Sequence, residues 1–556
     1  MHFSFLSAHK WLLLWLLLLA AVLLLNLGGW GVLETSEARY AEIGREMLAG
    51  GDWWHPRLLG IQHYHKPPLT YWLTAAGLAV FGHGAAAVRV LPVLALLGQV
   101  ALVYGLGLLY FGPDRRRALA AAVVYGSLPV VLAAALNVTT DGYLITLELL
   151  ATYAFVRYHH TPREKPAAPW LYLGWLALGL GLLTKGPVTL VLPLLAVLSL
   201  HLTPTAPRRP WSPHHLLAGG VFGLTGLSWY LALLAENPAF RDYFLFKHLV
   251  DRYANALAFK RDKPWWYYLV LVPLGSLPWS GPLLVELGRT GWRGLGRRWQ
   301  MVLLCWVLLP LLFFSFSSSK LLFYVLPVFP GVALLTVELL GRRTDAVLLR
   351  WYVGFVALFG LVLGGLCLLP VFGPAYGLEV RPATLAWPAT GLVVIILTHI
   401  FWDEVRIAPR LLLLTALYTA ALVLGLKAVL RQAEPAVGSL RPVAQRLREL
   451  GLDRRPVLVY DEMLPSLAFE LQRLPVTLNA GDDNLRRETQ FEHDDQWRRY
   501  WVNLNDPADT LVLGPLLRQR PVILVKDQLP TDRQWLVQGL MQHEHLGRWR
   551  IYYTGW

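Results

Sequence analysis

The residues ETSEARYAEIGREMLAGGDWWHPRLLGIQHYHKPPLTYW run from Glu34 to Trp72, between two long apolar stretches. A segment this polar, extending to about Gly84 and carrying Glu37, Arg39, Tyr40, His63, His65 and Lys66, is too costly to place in hydrocarbon and must lie at a membrane surface. There it can meet a lipid-borne charged substrate. Thr35 or Ser36 can cap a helix running to about Leu48, with Gly50 and Gly51 ending it. Arg39, Glu42, Arg45 and Glu46 fall on its polar faces and Ala41, Met47 and Leu48 on an apolar one, which predicts a helix lying flat in the interface. Trp53, Trp54, Tyr64, Tyr71 and Trp72 are the amphipathic rings expected at headgroup depth.

The flanking sequence settles the class. With 556 residues, 55% of them hydrophobic, and a mean hydropathy of +0.45, the chain is too apolar for a soluble globule and too long for a single anchor. Apolar windows long enough to span lie near 11–33, 86–111, 118–136, 141–158, 169–184, 187–202, 215–234, 266–285, 300–316, 321–340, 351–373, 386–402 and 410–430. They predict a polytopic α-helical membrane protein of about thirteen transmembrane helices. The first window follows Lys10, exceeds a signal-peptide core and shows no small-residue cleavage pattern, so it reads as a retained helix.

Basic residues stay on the cytoplasmic side. Alternate loops carry Arg115, Arg116 and Arg117; Arg163 and Lys165; Arg208 and Arg209; Arg289, Arg293, Arg297 and Arg298; Arg342, Arg343 and Arg350; Arg406 and Arg410. The amino terminus is then cytoplasmic, and an odd number of spans puts the first loop, about 34–85, and everything past about Leu430 outside. The net charge of +14 is largely this topological signal, which argues against a nucleic-acid partner. Cys305 and Cys367, the two cysteines, fall inside spans and exclude a disulfide framework.

The expected domains are a membrane domain over 1–430 and an extracytoplasmic, periplasmic domain over 431–556. In the latter, Val457–Tyr460, Pro475–Leu478, Thr510–Leu513, Val522–Val525 and Arg548–Tyr553 read as strands, Ser466–Arg473 and Asp532–Gln542 as helices. Such alternation predicts a small α/β domain.

Several outer-facing groups could carry chemistry. Glu37, near a helix amino terminus at the membrane boundary, could serve as a base or simply complement the helix dipole. Arg39, His63, His65 and Lys66 suit a phosphate or lipid headgroups, with Pro67 and Pro68 stiffening the chain after Lys66. His63 and His65 also form a His-x-His pair that could ligate a metal, with no carboxylate or thiolate partner visible nearby. Asp141 follows NVTT as a helix cap or a base, and Lys185 sits in LLTKGP between spans. KHLVDRY supplies Lys247, His248, Asp251, Arg252 and Tyr253. Lys320 and Tyr324 are spaced to share one helix face. Cations recur on the outer side, where few are expected, and an anionic substrate would explain them.

The first-loop sequence, with HKPPLTYW, LLTKGP, KHLVDRY, SSSKLLFYVLPVFP and, in the tail, YDEMLPSLAFELQRLPV, resembles the bacterial family 39-type branch of GT-C membrane glycosyltransferases. Within that branch it is most similar to the lipid A aminoarabinose transferases, relatives of the protein O-mannosyltransferases. The resemblance implies a GT-C-like fold and an inverting enzyme that takes a sugar from a polyprenyl-phosphate carrier at the outer face of a bacterial cytoplasmic membrane. By motif, Glu37, Arg39 and Tyr40 match the acidic-x-Arg-Tyr element, Lys66 the Lys of KPP, and Lys185, Lys320 and Tyr324 later positions near the donor phosphate. His63, His248 and Arg252 join as substrate contacts and His65 as a ligand for a divalent metal ion. Ser36-Glu37 stands where the family often has Asp-Glu, and His65 where lipid A transferases commonly have Glu.

Negative charge builds on the departing phosphate in such a transfer, so Lys66, Arg39, Lys320 and Lys185 would stabilise the transition state more than the ground state. A hydroxyl acceptor would need Glu37 or Asp141 to take its proton; a phosphate acceptor would not. The alternatives are transfer to protein hydroxyls or another envelope glycan and, in a different class, a lipid-linked sugar flippase. A flippase would favour paired repeats and ionisable groups near the bilayer midplane.

Overall fold

A computed structural model of the chain describes residues 2–34, 36–205, 209–244, 263–317, 319–376, 378–401, 406–480 and 487–555. Chain contacts divide it into two compact units: one of residues 1–25, 92–372 and 381–426, the other of 26–91, 373–380 and 427–556.

The first unit is helical. Among the described residues six helices of the chain are long and apolar enough to cross a membrane: Ala85–Tyr110, Arg297–Phe316, Leu322–Leu340, Asp345–Cys367, Pro382–Phe401 and Ile407–Gln432. The number rises to nine if three bent pairs each count as one span. In one of these pairs, Arg115–Gly126 and Pro129–Ala135 meet at 66°. Leu128, preceding a proline, is forced extended (ψ 125°), and the Ser127 hydroxyl donates to the Val124 carbonyl while accepting from Trp279 Nε1 at 3.0 Å. The chain is thus a multi-pass membrane protein.

The basic loops of this unit gather at one end. Arg209 donates to the Thr161 and Pro162 carbonyls, Arg297 to Leu202, Arg298 to Tyr110 and Arg342 to Gly294. Arg117 and Arg342 clasp Glu338, and Arg289 and Arg343 clasp Glu286. Thr140–His160 and Ala168–Lys185 pack together, and both run from this end to the opposite one, which their lengths put about 30 Å away. Cys305 and Cys367 are free thiols.

In the second unit, helix Ser36–Gly50 packs against Leu69–Phe81 and Pro465–Leu471. It does not lie flat with a solvated polar face. Glu37 and Glu42 are buried and Leu48 is 40% exposed, because each acidic side chain on the helix finds a partner inside the unit. Gly44 permits the helix crossing: a Cβ there would sit 2.9 Å from Thr74 Cγ2. After a two-residue hairpin, β1 (Arg57–Leu58) and β2 (Ile61–Gln62), the remaining strands form one six-stranded sheet. They are β3 (Val457–Tyr460), β4 (Val476–Asn479), β5 (Trp501–Asn503), β6 (Val522–Lys526), β7 (Gln542–Leu546) and β8 (Trp549–Tyr553), in the order β5-β4-β3-β6-β8-β7. The first four are mutually parallel; β8 runs antiparallel to β6, and β7 antiparallel to β8.

Both faces of this sheet are covered. Val457, Val459 and Leu524 pack with Leu447 and Leu467 of flanking helices, while Leu458, Ile523 and Val525 pack with Leu513 and Leu536 on the other side. Thr510–Leu513, expected as a strand, belongs to helix Pro507–Arg518, started by the Asp506 side chain accepting from the Ala508 N–H and by Pro507 in the first turn. The expected helix Asp532–Gln542 is a 3₁₀ segment, Thr531–Val537, that breaks at Gly539 (φ +96°) before β7 begins.

Candidate active site

Each unit holds candidate site residues of its own. In the second, Glu37 opens helix Ser36–Gly50 and is 1% exposed. Arg89 donates Nε to its Oε1 and Nη2 to its Oε2, both at 2.7 Å, and the Leu33 N–H adds a third bond at 2.9 Å. The rest of the guanidinium serves the Leu27, Trp30 and Gly31 carbonyls at 2.8 to 3.1 Å and lies 4.3 Å from the Trp30 ring centroid. Every polar edge of Arg89 is used, and Glu37 is held as its counter-ion.

Arg39, two residues on, is half-buried, and its buried Nε meets no acceptor among the described residues. Its charge reaches both His63 and His65. Tyr40 packs its ring 5.5 Å from Tyr71, and half-buried Lys66 precedes Pro67 and Pro68, the entry to helix Leu69–Phe81. Glu34 accepts from the Ser466 N–H at 2.7 Å; burial pushes its carboxyl up to about 7.

His63 and His65 meet a carboxylate distant in sequence. His63 Nδ1 and His65 Nε2 both lie 3.5 Å from Glu488 Oε2, with the two rings edge to face at 4.7 Å. Burial drives His63 down to about 3 and lowers His65, while Glu488, pushed up by burial, is held below the usual carboxylate range by the two imidazoles. The three ligand atoms lie within 4.8 Å of one another. Ligands about 2.1 Å from a tetrahedral ion sit about 3.4 Å apart, so the spacing and the His₂Glu donor set fit a zinc-like divalent cation.

In the first unit, Asp141 starts helix Thr140–His160 and accepts from Lys185 Nζ at 2.5 Å through Oδ1. Lys185 closes helix Ala168–Lys185, and its ammonium stands 3.6 Å from the Tyr324 ring centroid. Lys320 is buried and donates to the Lys263 carbonyl at 3.0 Å. Lys320 and Tyr324 do not share an α-helical face: Leu321 is extended (φ −128°), and a 3₁₀ segment, Leu322–Val328, starts after it. Tyr268, which donates its hydroxyl to Leu321, borders the group.

Thus Glu37, Arg39, Tyr40, His63, His65 and Lys66 fall in one unit, and Asp141, Lys185, Lys320 and Tyr324 in the other. His248 and Arg252, with the rest of KHLVDRY, lie outside the described residues. Three acidic or basic groups escaped the sequence reading. Arg89 and Glu148 stand in apolar windows, where a lone charge is itself a signal; Glu148 is fully buried and neither oxygen meets a donor among the described residues. Glu488 carries no such signal, since only folding brings it to the histidines.

A family profile described as dolichyl-phosphate-mannose-protein mannosyltransferase matches residues 9–244. The crystal structure of ArnT from Cupriavidus metallidurans bound to undecaprenyl phosphate superposes with a TM-score of 0.77 at 22% identity, covering 98% of each chain, and shares the fold. The chain is a membrane glycosyltransferase.

Three curated relatives carry the name undecaprenyl phosphate-alpha-4-amino-4-deoxy-L-arabinose arabinosyl transferase. That of Pectobacterium carotovorum is 34% identical over 68% of this chain and 67% of its own. The Erwinia tasmaniensis relative is 29% identical over 94% of both chains, and one from Sodalis glossinidius is 39% identical over 58% of both. This chain belongs to that arabinosyl transferase family.

Proposed function

We propose that the chain moves a sugar from a polyprenyl-phosphate donor to an envelope glycolipid at the outer face of the bacterial cytoplasmic membrane, in the form of aminoarabinose transfer to lipid A. The observation that carries this reading is the 34% identity to the Pectobacterium transferase over two thirds of both chains.

The proposed topology has about thirteen crossings, a cytoplasmic amino terminus, a membrane domain over 1–430 and a periplasmic domain over 431–556. Supporting it, most of the apolar windows coincide with a helix or a run of consecutive helices, the first of them only as far as Leu24, and the arginine-rich loops are tied together at one end of their unit.

In this reading Arg39, with its orphan donor, Tyr40 and Lys66 of the second unit, and Lys185, Lys320 and Tyr324 of the first, are the groups offered to the carrier's phosphate, Lys185 lying against the Tyr324 ring. His63, His248 and Arg252 would contact the substrate. The acceptor attacks the anomeric carbon opposite the phosphate, the C–O bond to the carrier breaks, and both electrons leave with the phosphate that these cations hold. Glu37 is spent on Arg89, so a hydroxyl acceptor would lose its proton to Asp141, whose Oδ2 has no partner among the described residues. A phosphate acceptor, already anionic, needs no base. His63, His65 and Glu488 would hold a divalent ion that clamps the first loop to the later domain.

The test is reconstitution with a polyprenyl-phosphate aminoarabinose donor and lipid A, following free polyprenyl phosphate and the acceptor's mass. Conversion of both supports the assignment. Lipid movement without cleavage sinks it in favour of a flippase, and labelling of protein hydroxyls instead would favour the alternative that the mannosyltransferase profile suggests.

A further inference from the structure

An open cleft of about 610 Å³ lies wholly in the second unit, between the end of helix Ser36–Gly50, the β1–β2 hairpin and the segment 492–500. None of the donor-phosphate residues above lines it. Its chemistry is uneven in a way that points to a ligand.

Four carboxylates face it, and all four are already used by backbone donors. Glu46 takes the Leu59 and Gly60 N–H groups, Asp52 those of Trp54 and His55, Glu492 that of Gln62, and Asp494 that of Gln496. The four arginines divide into two pairs. Arg45 is fixed by both oxygens of buried Glu42, and Arg473 by the carbonyls of Asp453 and Arg454. Arg57 spends one N–H on the Gly60 carbonyl, and Arg499 bonds to no described residue. Two guanidinium forks therefore open onto the cleft with donors to spare, matched to a planar carboxylate or a phosphate.

The walls supply flat apolar surface beside them. Tyr500 lies so close over Gly60 that a Cβ there would approach its ring to within clashing distance, and the φ of +80° at Gly60 bars other residues as well. Trp497 stands half-buried, with the Arg498 guanidinium 4.9 Å from its ring centroid. Guanidinium forks next to rigid rings, in a cleft of this size, are what a charged sugar requires.

We propose that this cleft binds an anionic saccharide, with Arg57 and Arg499 on its phosphate or carboxylate and Trp497 and Tyr500 against its ring. It is a second carbohydrate site, separate from the residues that hold the donor phosphate. The inference rests on the glycosyltransferase reading for its occupant alone, the charged glycan headgroup of the acceptor.

Full-length protein in nanodiscs, titrated calorimetrically with glucose 6-phosphate, glucose and inorganic phosphate, tests it. Glucose 6-phosphate should bind at least tenfold more tightly than either of the others and weaken as salt rises. The double variant R57A/R499A should lose at least tenfold in affinity, with R57K/R499K recovering part of it. If the double variant does not fold, Trp497→Ala carries the same expectation. Equal affinity for glucose and its phosphate, phosphate binding as tight as the sugar phosphate, or indifference to these substitutions overturns the proposal. Binding by a wild-type protein that never cleaves the polyprenyl donor would refute the transferase reading and leave this site standing.

Discussion

Arg89 holds Glu37 through two N–H···O bonds of 2.7 Å while its remaining donors bind three carbonyls of the turn before the first-loop helix. The side chains are 0% and 1% exposed, so the motif's acidic residue is built into the frame of its unit. Removing one partner of such a pair strands the other charge.

Arg89→Ala should therefore destabilise the protein by about 3 to 5 kcal/mol. Arg89→Lys should recover little, because an ammonium cannot reproduce the fork and the carbonyl bonds together. Thermal unfolding in detergent reads both, and a lysine variant as stable as wild type would contradict the account. Glu37→Gln should lose activity in step with stability, not ahead of it.

Asp141 and Lys185 make a different prediction, since they would touch the reacting groups. Lys185→Met should lower kcat by about 100-fold with donor KM changed far less, as for loss of a transition-state contact. Asp141→Asn should lower kcat comparably for a hydroxyl acceptor and little for a phosphate one. Steady-state kinetics on the two acceptor types separates these outcomes.

Zinc content tests the His63, His65 and Glu488 cluster directly. Elemental analysis of purified protein should find one equivalent that falls below about 0.2 in His63→Ala or Glu488→Ala, as expected when a three-residue donor set loses a ligand. Chelation should lower the melting temperature of wild type and leave the variants unmoved. Unchanged metal content in both variants would remove the site.

Glu34 predicts a pH dependence. Its folded-state pKa is raised from 4.5 to about 7 by burial, so the native state binds the extra proton. Its stabilising contribution is then fully present below pH 4.5 and is lost as pH rises through about 7. Partial exposure limits the effect to about 1 to 2 kcal/mol. Glu34→Gln should be the more stable protein at pH 8 and lose its advantage near pH 4; a pH-independent difference would show that Glu34 does not titrate in this range.

Periodicity and hydropathy were enough to find long apolar helices such as Ala85–Tyr110, Asp345–Cys367 and Ile407–Gln432, the strands Val457–Tyr460 and Val522–Val525, and the helix beginning at Ser36, because these depend on local pattern. They misread Thr510–Leu513, whose apolar run suits a strand or a buried helix equally until Asp506 and Pro507 start the helix. They also misread the environment of Ser36–Gly50. Glu42, Arg45 and Glu46 look like a solvated face in one dimension, and only neighbours from elsewhere in the unit bury them.

What the linear chain determined alone was the membrane class, the order of helices and loops, and which residue types gather in the first loop, since those follow from hydrophobicity and charge read locally. Tertiary structure decided what each charged group does. It gave Glu37 to Arg89, Glu488 to the histidine pair and Asp141 to Lys185. A carboxylate's role depends on which donors come within about 3 Å of it, and here those donors arrive from tens to hundreds of residues away.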